Sequence, residues 1–181
     1  EIFSEQTTTN YRQEFAQIGM QISDRLSAEE WKELYKKLIN WDLKLNEADN
    51  EMHEMLRMQR EEANNMFMRF VKNNYEQWVN DADNRPLISP DIFKKKIFPL
   101  LDEGEKVFFV VIDNFRYDQW RMIQEVLADF YTFDSDDLYF SILPTATQYA
   151  RNAIFAGLMP LQIKKMFPAL WVDEEDEEGK N

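Results

Sequence analysis

Hydrophobic positions in the first hundred residues recur every three or four residues, the period of an amphipathic helix. The pattern predicts one helix from Thr8 to Leu26, a second after Ser27, and a third of about 30 residues that ends near Trp78. Ser27 and Glu30 have the spacing of a capping box, which would begin the second helix. The sequence therefore predicts a helical bundle over residues 1–102. Its apolar positions are Tyr11, Phe15, Ile18 and Ile22, then Trp31, Leu34, Tyr35, Leu38, Trp41 and Leu45, then Met52, Met55, Leu56, Ala63, Met66, Phe67, Phe70, Val71, Tyr75 and Trp78.

The apolar stripe of the third helix has two interpretations. It forms the core of the bundle, or it forms an interface with a second copy of the chain or with a partner protein. His53, on the same helix, is the only histidine of the chain. A metal site needs three or more converging ligands, so we expect His53 to be a solvated side chain.

Residues 103–181 follow a different pattern. Lys106–Ile112 is a short apolar run rich in Val and Phe, which predicts a strand covered on both faces. An amphipathic helix is predicted at Asn114–Phe130, a second strand at Leu138–Leu143, and a further helix at Thr147–Leu158. This alternation predicts a parallel or mixed sheet, so the whole chain would be a helical bundle followed by the first part of an α/β domain.

Composition excludes several classes of protein. The absence of cysteine excludes disulfides and thiolate chemistry, and a net charge of −13 argues against general binding of DNA. No apolar run reaches the roughly 18–20 residues that a membrane span needs. The N-terminus resembles no signal peptide, and we expect a cytoplasmic location.

Asp113 and Thr147 each follow a predicted strand, and ligands of open α/β sheets bind at the carboxyl ends of strands. Asp113 could be a metal ligand, a helix cap or an ion-pair partner of Arg116. Thr147 could be an ordinary helix cap. It could also be a nucleophile beside a helix N-terminus, where an anion is stabilised.

Two motifs carry a family resemblance. The segment from Val110 to Asp118 resembles the opening motif of PglZ domains in the alkaline phosphatase superfamily. The segments from Pro144 to Thr147 and from Ala153 to Pro160 resemble the nucleophile region of that superfamily. Some response regulators carry a receiver domain, a helical domain and a PglZ domain in that order. They are linked to type IX secretion in Bacteroidetes, and the helical first half of this chain resembles their middle domain.

The resemblance implies a zinc-dependent phosphodiesterase with two zinc ions in the complete domain. Asp113 would bind zinc, and Thr147 would bind the same zinc and attack phosphorus, whereas Thr145 is the less favoured nucleophile. Asn114, Arg151 and Asn152 are candidate substrate-binding residues, with a structural role as the alternative. The substrates would be nucleotide phosphodiesters, with oligoadenylates as one candidate.

The sequence departs from the family in its metal ligands. No histidine follows Thr147, and the only later acids lie in the run from Asp173 to Glu178. We therefore expect the chain to be a fragment that is inactive alone and binds zinc weakly at most. The alternative is a regulatory interaction module that forms a homodimer or docks onto a sensor kinase or a transcription partner.

Overall fold

The chain folds into two compact units that each use two separate stretches of sequence. In the computed structural model, residues 2–23, 25–45 and 50–172 are described. The first unit comprises Glu1–Asn84 and Phe115–Asp136, and the second comprises Arg85–Asn114 and Asp137–Asn181.

Three helices form the centre of the first unit, as the hydrophobic pattern predicts. They are α1 (Ile2–Ser23), α2 (Ala28–Lys44) and α3 (Asn50–Asn80). The predicted capping box is confirmed, since the Glu30 amide donates to Ser27 Oγ at 3.3 Å and the Ser27 amide donates to Glu30 Oε2 at 2.7 Å. The buried apolar core consists of Tyr11, Ile18, Ile22, Trp31, Leu34, Leu38, Trp41, Leu45, Met52, Leu56 and Ala63.

Buried polar groups in this core are hydrogen-bonded, as burial requires. The Gln59 side chain is 2% exposed, and its amide donates to the Phe15 carbonyl at 2.9 Å. The Tyr11 hydroxyl donates to Gln59 Oε1 at 3.4 Å. These bonds fix the register of α1 against α3, because each joins one helix to the other.

The long third helix is confirmed, with 31 residues in α3. Met52, Leu56, Ala63 and Trp78 of its apolar stripe are buried. The stripe thus contributes to the core of its own bundle. Within the described ranges, no helix combines the length and the apolar character that a membrane crossing requires.

A fourth helix of the first unit comes from much later in the chain. Helix α5 covers Tyr117–Leu127, a shorter range than the predicted Asn114–Phe130. Its first residue lies against α2, with the Tyr35 and Tyr117 rings 6.0 Å apart. The Tyr117 hydroxyl donates to Asp136 Oδ2 at 2.8 Å, and Lys36 Nζ donates to the Asp136 carbonyl at 2.8 Å. Contacts near the start and at the end of the stretch Phe115–Asp136 therefore both lie within the first unit.

The second unit is built from short helical pieces. A 3₁₀ turn at Ser89–Asp91 and a π-helical turn at Phe93–Ile97 precede α4 (Phe98–Asp102). Helices α6 (Thr147–Ala156) and α7 (Pro160–Met166) follow, and a 3₁₀ turn at Pro168–Leu170 comes last.

Helix α6 packs against the 3₁₀ turn at Ser89–Asp91. It ends at Gly157, whose φ of 63° is left-handed and whose amide donates to the Ala153 carbonyl at 3.0 Å. This is the usual role of glycine after a helix. A ring cluster of Phe93, Phe109 and Phe155 joins α6 to the apolar run, with centroid separations of 4.8 to 6.0 Å.

The predicted sheet is wrong. Among the described residues no strand forms, and the only β-bridge is an isolated parallel one between Ile88 and Phe140. Lys106–Ile112 is irregular and open to solvent, with Phe108 92% and Val110 75% exposed. Apolar, β-branched composition favours a strand, but a strand also needs a hydrogen-bonded neighbour, and the described chain supplies none for this run. The α/β domain is therefore corrected to a helical one.

Candidate functional site

Asp113 lies in the turn that follows the apolar run of the second unit. Its side chain is 57% exposed, and Oδ2 lies 4.0 Å from Arg151 Nη1. Asn114, the next residue of the turn, has a left-handed φ of 57°. Asparagine tolerates this conformation better than most residues, so the sequence suits a tight turn at this point.

Thr147 is the first residue of α6, and its side chain is exposed. The residue before it, Ala146, gives no side-chain hydrogen bond to the first turn of the helix. Free amides and the helix dipole make such an end favourable for an anion. Thr147 therefore lies where a phosphate group would be stabilised.

Arg151 pairs with Asp113 and lies on the same helix as Thr147. It lies four residues after Thr147, so both residues share one face of α6. Through its ion pair, the same face also holds Asp113. Among the described residues, Thr147 and Asn152 form no side-chain hydrogen bond or ion pair with the other predicted site residues, and Asn152 is exposed.

The donors among the described residues do not make a complete zinc site. The described ranges contain no cluster of three or more His, Asp or Glu side chains that could hold a metal ion. Catalytic zinc is held by three protein ligands and keeps a fourth position open. Asp113 and Thr147 would supply two oxygen ligands, so the described residues alone do not fit the expected ion.

Residues 116–118 are adjacent to the turn but belong to the first unit. Arg116 forms two hydrogen bonds with the Asp118 carboxylate, at 2.9 and 2.8 Å, and these lower the pKa of Asp118. Burial and the hydrogen bond to Asp136 raise the pKa of Tyr117 to about 12. These residues stabilise the start of α5.

Sequence reasoning missed the residues that stabilise the 3₁₀ turn against which α6 packs. Arg85 Nη2 lies 2.7 Å from Asp91 Oδ1, and both side chains are only 8% exposed. Asp91 Oδ2 also accepts the Ile88 amide at 3.3 Å. Ser89 Oγ accepts the Ile142 amide at 3.1 Å. The available signal was an arginine and an acid on either side of a proline-containing turn.

Comparison with protein families gives two matches that follow one another along the chain. Residues 1–79 match the PorX response regulator linker domain. Residues 92–181 match the BREX system PglZ alkaline phosphatase-like domain. No match was found among curated proteins. The predicted division after residue 102 stays a prediction. With the two domain types matched in this order, the resemblance to PorX-like response regulators with a PglZ domain is confirmed, and the matches suggest a phosphoesterase-like regulator of the PorX type.

Proposed function

We propose that the chain contributes to a zinc-dependent phosphodiesterase that acts on nucleotide phosphodiesters, with oligoadenylates as one candidate substrate. The observation that carries the proposal is the placement of Thr147 as the exposed first residue of a helix whose N-cap gives no side-chain bond. The match to an alkaline phosphatase-like domain supports the same chemistry. The cytoplasmic location and the link to type IX secretion in Bacteroidetes belong to this proposal.

In the proposed reaction, Thr147 Oγ gives up its proton and attacks phosphorus, and the bridging oxygen of the leaving group departs and takes up a proton. This gives a phosphothreonine ester, which water then hydrolyses. The amides at the start of α6 stabilise the phosphoryl oxygens. Arg151, one turn along α6, would contact one of those oxygens after its ion pair with Asp113 opens. Zinc, when bound, would lower the pKa of a coordinated hydroxyl.

Zinc-dependent hydrolysis of bis(p-nitrophenyl) phosphate by the full-length protein tests the proposal. Thr147→Val removes the nucleophile, so we expect kcat to fall by about a thousandfold or more. Chelation of zinc should abolish the activity of the unchanged protein.

Thr145→Val is the matched control, because Thr145 is also an exposed threonine and lies just before α6. It should keep most of the activity. Undiminished hydrolysis by the Thr147 variant would exclude our nucleophile, and loss only in the Thr145 variant would assign the reaction to that residue.

A second candidate function is a regulatory interaction module, and one surface favours it. Met122, Val126 and Phe130 recur every four residues along α5 and the turn after it, and they are 65%, 64% and 75% exposed. A homodimer would cover such an apolar stripe. The other proposed partner for this stripe is a sensor kinase or a transcription partner. Co-purification of either with the protein whose stripe is intact would test that alternative.

A further inference from the structure

A cleft of about 840 Å³ opens on the first unit, beside the C-terminal half of α3. One wall comes from the start of α2 and the residues just before it. The other comes from α3, where Met66, Phe70 and Asn73 recur every three or four residues and therefore share one face. The volume lies within the range of small-molecule sites. Asp113 and Thr147 take no part in this cleft.

The cleft contains two arginines that differ from the other arginines of the chain in their ion pairing. Arg25 and Arg69 both line it, and both are exposed. Neither is ion-paired to a carboxylate within the part of the chain that the structure describes. Each of the other arginines lies within 4.0 Å of an Asp or Glu oxygen: Arg12, Arg57, Arg60, Arg85, Arg116, Arg121 and Arg151.

These two guanidinium groups make the cleft suitable for an anion. The carboxylate of Glu30 also lines the cleft, but it accepts the Ser27 amide in the capping box. Among the described residues, the one polar contact of Arg69 is a weak hydrogen bond to Met66 Sδ, at 3.9 Å. The chain as a whole has a net charge of −13. The cleft nevertheless has two arginines and one glutamate, whose carboxylate already accepts a hydrogen bond, so its surface is locally positive. Guanidinium groups bind phosphate through paired, charge-assisted hydrogen bonds.

The remaining lining offers a surface for a flat ring. Phe70 and Met66 are half-buried, so parts of an aromatic ring and a thioether stay open to the cleft. The exposed amide of Asn73 lies on the same face and can both donate and accept a hydrogen bond. Ring stacking beside an amide and arginines is the usual chemistry by which proteins hold a base and its phosphate.

We propose that this cleft binds a nucleotide, with the phosphate on Arg25 and Arg69 and the base against Phe70 and Met66. The site is separate from the proposed reaction at Thr147 and does not depend on it. A phosphate ester with a planar base satisfies the charged and the apolar parts of the cleft together. An acidic peptide would satisfy the arginines and is the competing occupant.

Calorimetric titration of the 181-residue chain in the presence of EDTA tests the proposal. The probes are AMP, adenosine, inorganic phosphate and a short acidic peptide. AMP should bind at least about tenfold more tightly than adenosine or phosphate, because only AMP carries both recognised parts. Failure of AMP to bind at millimolar concentration, or tighter binding of the peptide or of phosphate alone, would overturn the proposal.

Variants locate the binding. Arg25→Gln and Arg69→Gln should each weaken AMP binding by about tenfold and leave adenosine binding unchanged, since each removes a phosphate contact. Arg12→Gln is the matched control, because this exposed arginine lies outside the cleft, and it should bind AMP as the unchanged chain does. Thermal melting checks that each variant is folded.

Two outcomes would place AMP elsewhere and so refute the assignment. One is unchanged affinity in both the Arg25 and Arg69 variants. The other is loss of AMP binding in Thr147→Val, which would assign the binding to α6. Retained AMP binding in that variant of the 181-residue chain, together with lost phosphodiesterase activity in the same variant of the full-length protein, would instead separate the two sites.

Discussion

Asp91 shows how one buried carboxylate can support a candidate site that it does not touch. It accepts hydrogen bonds from Arg85 Nε at 3.0 Å and Arg85 Nη2 at 2.7 Å, and another from the Ile88 amide. The 3₁₀ turn that it holds is the surface on which α6 packs. Because α6 presents Thr147 and Arg151, the position of both depends on this buried pair.

We predict that Asp91→Asn destabilises the protein by about 3–5 kcal/mol, because it removes the negative charge from a buried ion pair. The shift of the urea unfolding midpoint measures the loss. Asp118→Asn is the matched control, since the side chains of its ion pair with Arg116 are 24% and 65% exposed, against 8% each for Asp91 and Arg85, and the more exposed pair should contribute less. Equal effects of the two substitutions would contradict the importance of burial.

Single residues were predictable where the signal is local. Ser27 and Glu30 lie within one helical turn, so their spacing fixes their contact, and the capping box was correctly predicted. Arg85 and Asp91 are separated by a proline-containing turn whose backbone angles the residue types do not determine. Their pairing therefore could not be predicted, although both residues are visible in the sequence.

At the scale of elements, helices were predicted better than strands for a physical reason. The hydrogen bonds of α1, α2 and α3 close within each helix, so the apolar period suffices to place them. A strand at Lys106–Ile112 needs a partner elsewhere in the chain, and composition carries no information about that partner. Helix α5 was predicted, but its packing on α2 was not, because nothing in its period specifies which helix it meets.

Tyr117 makes α5 sensitive to alkaline pH. Its pKa is raised to about 12, whereas an unfolded tyrosine titrates near 10. The stabilising contribution is therefore complete below pH 10 and is lost as pH rises towards 12. We expect the urea unfolding midpoint to fall over this range, and Tyr117→Phe to make the fall shallower. An equally steep fall in the variant would show that Tyr117 is not involved.

At the scale of the molecule, we propose a homodimer that buries the α5 stripe. The sedimentation mass at high concentration should then be twice the 21.8 kDa of one chain. Val126→Glu should give monomers, because it places a charge in an apolar contact. Met58→Glu, on an exposed side chain of α3, should stay dimeric. A monomeric mass for the unchanged chain would exclude the dimer.

The path of the chain through its two units also limits how such proteins can change over time. Residues 115–136 lie inside the stretch that matches the PglZ domain, yet they pack with the helices that match the PorX linker domain. Recombination at the junction between the two family matches, near residues 80–91, would separate two pairs of contacting residues. These are Tyr117 with Tyr35, and Asp136 with Lys36. We therefore expect these two segments to be inherited together, with substitutions in one compensated in the other, even though family boundaries assign them to different domains.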